Sequence, residues 1–581
     1  MLKMFKNITF IILLASLLSC NDMLDPELDG TLTEEEVWSN NNLAFGVLNN
    51  AYNFLPDGYN RLSGGMLAAA TDDAICPDPS NAVNGFKNGA WGPFNLIDEA
   101  WTRNYTGIRK ANLFLQKIDS VPLPRQSNAL GTDESILNTR ERMKGEAHFL
   151  RAYFYFELVK RFGGVPIYDK PLSPEEANTI ERSSADATFQ YIIEQCDIAA
   201  EALPTNYKPG DSPVVGFNEA KDEGRATVGA ALALKSRALL YWASPLFNPN
   251  NEVSRWEMAA EAAKAILDPD GEEPIVAQYN LQRLTSSLTL STLFSTNSLL
   301  DQYHDEIIFS TKYNDNTTVE RLNAPISFGG QGLTNPTQNL ADAFPMSNGK
   351  PITDPTSGFD PQNPYQNRDP RFGMTLLANG ADFTVNDRDG VMETYKGGAD
   401  GSDAYPTASQ TGYYLQKFIM PDAAWEERSV NITRTWALIR LAEIYLNYAE
   451  ARNEAFGPDQ EVYLHLRLLR FRAGIRRAFV PTGMSQDEMR KFIQNERRIE
   501  LAFEEHRFFD VRRWRLFDDA AERDKLLNIK GVSITKDNTD MFLYDQDLLL
   551  EQRPFTDNMY LFPLPENELV KNNNLKQNPG W

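Results

Sequence analysis

Apolar residues three and four positions apart recur in separated blocks along the chain, at residues 41–55, 101–118, 140–162, 187–203, 225–243, 256–267, 436–455 and 461–473. That spacing gathers apolar side chains on one face of a helix, so each block predicts a helix with a buried stripe. The block at 140–162 runs into Gly163-Gly164 and the block at 256–267 into Asp268-Pro269, both of which end helices. The stretches ATVGAALALKSRALLYWA and WEMAAEAAKAILDP alternate small and large residues, as in tetratricopeptide repeats, where antiparallel helices approach closely. The spacing is too irregular to define a strict repeat from periodicity. Between residues 271 and 434 the pattern changes, with frequent Gly, Pro, Asn and Asp and short strand-like runs such as EIIFSTKY at 306–313. Loops this long in a packed protein usually carry function, so this insertion, with residues 71–105, is expected to build a ligand surface.

Residues 495–514, NERRIELAFEEHRFFDVRRW, carry five acidic and five basic side chains among large apolar ones, in a chain whose net charge is -23. Most of the stretch reads as a single helix, with Ile499 and Phe503 at i,i+4. Arg497 and Glu500, Glu504 and Arg507, Arg507 and Asp510, and Asp510 and Arg513 lie at the i,i+3 spacing that lets opposite charges meet. Local neutrality mixed with aromatics predicts a partly buried, mutually satisfied ion network, a scaffold and not a catalyst.

This stretch resembles a hallmark of the SusD/RagB family of nutrient-binding lipoproteins. So do GEAHFLRAYFYFELVKRFGGVPI at 145–167, PTQNLADAFPMSNGKPI at 336–352 and YLFPLPENELVKNNNLKQNPGW at 560–581. The resemblance implies a mainly α fold, a tetratricopeptide-containing helical superhelix with a loop-rich insertion. It divides the chain into an N-terminal helical part at 36–270, the insertion at 271–434 and a C-terminal helical part at 435–581. It also implies capture of an extracellular nutrient and delivery to a SusC-like TonB-dependent transporter, over whose barrel the protein acts as a lid. Oligosaccharide is the commonest ligand class of such proteins and peptide the rival.

The N-terminus supports that placement independently. Lys3 and Lys6 precede an apolar run from Ile8 to Leu18, too short to span a bilayer, and Ser19 precedes Cys20. Residues 1–19 read as a lipoprotein signal peptide and Cys20 as the lipid-anchored first residue, followed by an acidic tether at 20–35. The expected location is the outer membrane, facing the cell exterior. Such an acidic chain repels polyphosphates, so nucleic acid is not an expected partner. Cys76 and Cys196 are compatible with one disulfide, but sequence does not establish their proximity.

Sugars present an apolar face and a hydroxyl rim, a pair of demands met by aromatic rings flanked by amides and charges. Residues 91–105, WGPFNLIDEAWTRNY, have that composition. Trp91 and Trp101 are the leading ligand contacts, a choice that the resemblance to sugar-binding members supports, with Arg103 and Asn104 beside them. Asp73 lies where the family commonly has an acidic pocket residue, and Tyr313 and Trp425 are the preferred aromatics of the insertion. The alternative for each aromatic is core packing. Adjacent acids such as Asp72-Asp73, Glu426-Glu427 and Glu504-Glu505 point apart on regular structure, so they do not form the facing carboxylates of a glycosidase. No catalytic residue is expected. The four histidines have no metal-ligand spacing, and Asn386 to Gly390 with Glu393 lacks the calcium-loop register; an ordinary turn is expected there, with calcium as the alternative and no other cofactor. A helical-repeat scaffold and a glycan-degrading enzyme remain the other classes.

Overall fold

A computed structural model of the chain describes residues 32–122, 133–205, 224–267, 279–281, 293–294, 305–475 and 479–581. The expected signal peptide, Cys20 and the expected tether as far as residue 31 lie outside the described residues.

The periodic blocks form helices with ends moved by a few residues: α1 (Asn41–Tyr52), α2 (Ala100–Lys117), α3 (Asp133–Phe162), α4 (Ala185–Ala202), α5 (Val228–Ala243) and α6 (Val253–Leu267). After the insertion come α7 (Leu441–Phe456), α8 (Gln460–Arg472), α9 (Gln486–Glu500) and α10 (Arg507–Arg513), with a short α11 (Glu566–Lys571) near the end. Hydroxyl side chains fix the starts: Ser184 accepts from the Ala187 N–H, Thr227 from that of Ala230, and Ser485 closes a capping box with Glu488.

Each helix from α2 to α7 packs on the one before it, and α7 also packs on α8 and α9. Neighbour-on-neighbour packing of this kind builds a superhelix. The contact between α6 and α7 closes across the insertion. Close approach demands small residues: a Cβ at Gly107 of α2 would lie 2.4 Å from the Phe154 ring of α3. Apolar side chains such as Phe149, Phe154, Phe156, Leu234 and Leu240 are fully buried between the layers. Cys76 and Cys196 are buried free thiols, so the disulfide that the sequence left open is not formed.

The insertion holds short elements. Among the described residues strand β1 (Ile307–Asn316) is its first strand, β2 (Asp382–Val385) and β3 (Arg388–Val391) form a hairpin, and β4 (Ile432–Arg440) ends at the start of α7. β1 and β4 are antiparallel, with Ile307 opposite Arg440 and Tyr313 opposite Arg434. Residues 436–440 are therefore strand, where the sequence predicts helix. The strand is buried on both sides and runs into α7 without a break, so no alternation marks the junction. A hairpin of β5 (Asn528–Lys536) and β6 (Phe542–Gln552), not anticipated from the sequence, follows α10.

Residues 495–514 also depart from the expected single helix. α9 stops at Glu500, and α10 starts only at Arg507 after a turn in which Phe503 and Glu505 take positive φ of 65° and 63°. Breaking the helix aims Glu504 away from Arg507 and into the interior.

Candidate ligand-binding site

The charged side chains of the broken helix are consumed by structure. Arg440, at the end of β4, donates to Glu306 and Glu500 at 2.8 Å each and to Glu504 at 2.6 Å. Arg472 of α8 also meets Glu306 and Glu500, and Arg371 bridges Asp369, Glu496 and Glu500, all out of contact with water. Burial works against the Glu500 carboxylate, yet Arg472, Arg440 and Arg371 hold it well below the usual carboxylate range. Of the four expected i,i+3 pairs, Asp510 with Arg513 forms, at 2.8 Å. Arg497 instead meets Asp510 (2.8 Å), Glu504 meets Arg440 and Lys417, and Arg507 meets Asp72 (2.9 Å).

That last contact relocates Asp73 as well. Asp73 is buried and takes 2.7 Å from Arg498, while Asp72 takes both Arg498 and Arg507, so the Asp72-Asp73 pair ties the first third of the chain to α9 and α10. Two guanidiniums closing over the carboxylates leave Asp73 no access to a ligand, a correction to its expected role. Trp91 is corrected in the same way. It is 5% exposed, with Phe86, Phe562 and Trp581 rings 4.8–5.2 Å from its own, and belongs to the core.

Trp101, 6% exposed and edge-on to Phe162 at 5.1 Å, is also packed in the core, but its edge lines an open cavity of about 300 Å³ between α2, the loop that follows α3, and the C-terminal tail. Trp101, Tyr105 and Arg109 fall at i, i+4 and i+8 on α2, with Thr102 and Thr106 alongside, so one helix face supplies the wall. The Tyr105 and Tyr168 rings stack at 5.8 Å and 10°, and Trp101 meets Tyr105 edge-on at 4.9 Å. Hydrogen bonds hold the loop in place: the Tyr105 hydroxyl donates to the Pro166 carbonyl (2.9 Å), and the Tyr168 backbone N–H donates to the Tyr155 hydroxyl (2.9 Å). Burial raises the Tyr168 phenol above its ordinary value, with Arg109 drawing it back, and burial raises that of Tyr105 as well, so both are neutral phenols at physiological pH.

The cavity floor comes from α11 and the tail, through Glu568, Lys571, Asn572 and Leu575. Asn572 donates to the Ala177 and Ile180 carbonyls, and Arg182 donates to the carbonyls of Gly164 (2.6 Å), Phe162 (2.6 Å) and Lys576 (2.8 Å). The Trp581 indole N–H reaches the Asn558 and Leu561 carbonyls. Sequence reading assigned no ligand role to Tyr168, Arg109 or the tail. The run of asparagines at 572–574 was the available signal, since such residues satisfy exposed backbone carbonyls.

The remaining expected contacts lie elsewhere. Arg103 faces Asp98 at 3.8 Å, and Asn104 is buried with its amide on the Ala100 carbonyl; neither lines the cavity. Trp425 is half-buried in the insertion, its backbone N–H on the Asn386 side chain. Tyr313 lies on β1, its side chain outside the described residues. The β2–β3 hairpin turns at Asn386 and Asp387, both at positive φ. Asp387 is held by Arg428, and Asp389 accepts from the Thr384 hydroxyl, so these oxygens are engaged in the turn. Among the described residues no group of three His, Cys, Asp or Glu side chains converges as a metal site. None of the residues that line this cavity comes from the insertion.

The cavity's chemistry suits binding. Aromatic faces and leucine give an apolar bed, and hydroxyls, amides and cations give a polar rim. Glu568 is its one lining carboxylate, held by Lys571 at 3.0 Å, so no second carboxylate faces it across the cavity.

Residues 300–581 match the family model described as SusD family, and residues 81–238 match the model described as starch-binding associating with outer membrane. The chain is 24% identical to SusD-like protein P2 of Formosa agariphila, over the full length of both. A solved SusD-like protein from Bacteroides fragilis superposes with a TM-score of 0.75 at 28% identity, covering 94% of this chain and 99% of the other. A second B. fragilis structure, a SusD-like carbohydrate binding protein, superposes at 0.72 with 23% identity, covering 93% and 100%. Among the described residues no helix is long and apolar enough to cross a membrane.

Proposed function

Because this chain belongs to the SusD/RagB family, we propose that it is a lipid-anchored glycan-binding protein of the outer membrane. It captures oligosaccharide outside the cell and delivers it to a SusC-like TonB-dependent transporter. The observation that carries this reading is the cavity with the stacked Tyr105 and Tyr168 rings and Trp101, rimmed by Thr102, Thr106 and Asn178. Such walls take the apolar face of a sugar while the rim takes its hydroxyls. The SusD-like carbohydrate binding protein of B. fragilis, similar in fold, supports the same ligand class. The task is capture and release, which needs rigid walls and no bond-making chemistry.

Titration calorimetry on the soluble protein beginning after Cys20, against neutral and acidic oligosaccharides and short peptides, tests the reading. Saturable heat with chemically unchanged glycan is expected, and Tyr168→Ala weakens it several-fold, up to about tenfold, the scale of one lost stacking contact. Glycan affinity untouched by Tyr168→Ala removes the cavity as the site. Binding confined to peptides replaces the ligand class, and released product indicates an enzyme.

A further inference from the structure

We infer that this cavity selects glycans bearing an anionic substituent, a uronic-acid carboxylate or a sulfate ester, and that Arg109 is the residue that reads it. The inference rests on the proposed reading of the cavity as a glycan site and names the class of glycan.

Position is the first argument. Arg109 follows Tyr105 by four residues on α2, about 6 Å along the helix axis and on the same face. A sugar ring laid on the tyrosine wall therefore directs a substituent on its rim toward the guanidinium. Arg109 is exposed to the cavity, so reaching it requires no rearrangement of the core.

Charge is the second. The cavity has two lining cations, Arg109 and Lys571, and one lining carboxylate, Glu568. Lys571 and Glu568 satisfy each other, whereas Arg109 has no ion pair among the described residues. Carboxylates are not scarce, since the chain has 80 acidic residues against 57 basic ones. Arg371, Arg440, Arg472 and Arg513 each contact at least two of them. Arg109 is thus left open beside an aromatic platform, and it gives the wall a net positive charge.

Chemistry is the third. The planar guanidinium fork matches the two oxygens of a carboxylate or sulfate, which an ammonium does not. The Tyr168 hydroxyl has no hydrogen-bond partner among the described residues and offers another donor from the same ring stack. The long-range field of a chain at -23 opposes any anion. At physiological ionic strength that field is screened over about 8 Å, so the contact is decided by the local cation.

The test is calorimetry on the full chain with three matched oligosaccharide series: neutral, uronate-containing, and sulfated, each of equal length. The wild type is expected to bind at least one anionic series about tenfold more tightly than the neutral one, and the preference to shrink as salt rises. Arg109→Gln brings the ratio to within about twofold by lowering anionic affinity far more than neutral affinity, with the melting temperature unchanged, and Arg109→Lys restores only part of the ratio. Whether the uronate or the sulfated series shows the preference identifies the oxyanion. Equal affinity for neutral and anionic series, or a preference that survives Arg109→Gln, overturns the inference. If neutral glycans bind and require Tyr168 in that case, the cavity reading stands without it. If no series binds, or binding ignores both Tyr168→Ala and Arg109→Gln, both readings fall.

Discussion

Two regions of this molecule combine arginine, carboxylate and aromatic side chains, and they use them in opposite ways. Around Arg440 each guanidinium named above meets carboxylates inside the protein, and the site is closed to water. At the cavity on α2 a guanidinium stands open beside stacked tyrosines, with the neighbouring lysine and glutamate occupied with each other. The same residue types thus produce a clamp in one place and a recognition surface in the other. What separates them is whether the charges are answered from within the chain. An internally answered charge fixes the positions of α8, α9, β1 and β4; an unanswered one is available to a ligand.

The comparison breaks most readily at Arg440. Arg440→Met keeps the volume but leaves Glu306, Glu500 and Glu504 facing one another with fewer cations. Removing one partner of a buried network costs about 3–5 kcal/mol, so the urea midpoint is expected to drop sharply, or the protein to fail to fold. A loss below about 1 kcal/mol, the scale of an exposed pair, would erase the distinction between the two regions.

A second effect separates them by pH. Glu500 is held well below its ordinary value in the fold, with burial opposing and Arg472, Arg440 and Arg371 prevailing. A carboxylate of depressed folded pKa contributes stability that is complete above its unfolded value, about 4.3, and is lost as pH falls through the folded one. Glu504 and Asp510 are lowered for the same reason and add to the slope. Urea midpoints are therefore expected to be flat from pH 7 to about 5 and to fall steeply below about 4. An Arg440→Met protein that folds should show a shallower fall; an equal slope would mean that the network is not its source.

How much of this was legible in the sequence follows from distance along the chain. The helices were readable because their signal is local, three and four residues apart. The neutrality of residues 495–514 announced a buried network, yet its partners were misassigned because Arg440 and Glu504 are 64 residues apart and Arg507 and Asp72 are 435. Trp91 and Trp101, in the same stretch, are both buried in the core, and Trp101 alone of the two lines the cavity. Composition around a tryptophan is alike whether its ring is enclosed by Trp581 and Phe562 or borders a cavity. Tyr168 and the asparagines of the tail come from loops without periodicity and reach the cavity only through the fold.

The smallest expected effect is the most discriminating. Lys571 and Glu568 form an i,i+3 pair on α11 whose side chains are 58% and 30% exposed, so Lys571→Met should leave the melting temperature nearly unchanged. The same substitution releases the Glu568 carboxylate into the cavity opposite α2. If Arg109 recognises an anion there, the freed carboxylate competes for the guanidinium and repels the ligand, and affinity for the anionic glycan should fall about threefold, within the range of exposed ion pairs. Neutral glycan affinity, set by the tyrosine wall, should not move. A fall in both would mean that Lys571 acts on the shape of the floor, and an unchanged anionic affinity would mean that Glu568 does not face the ligand. In the buried network no such selective outcome is available, since removing a cation there is felt by the whole fold.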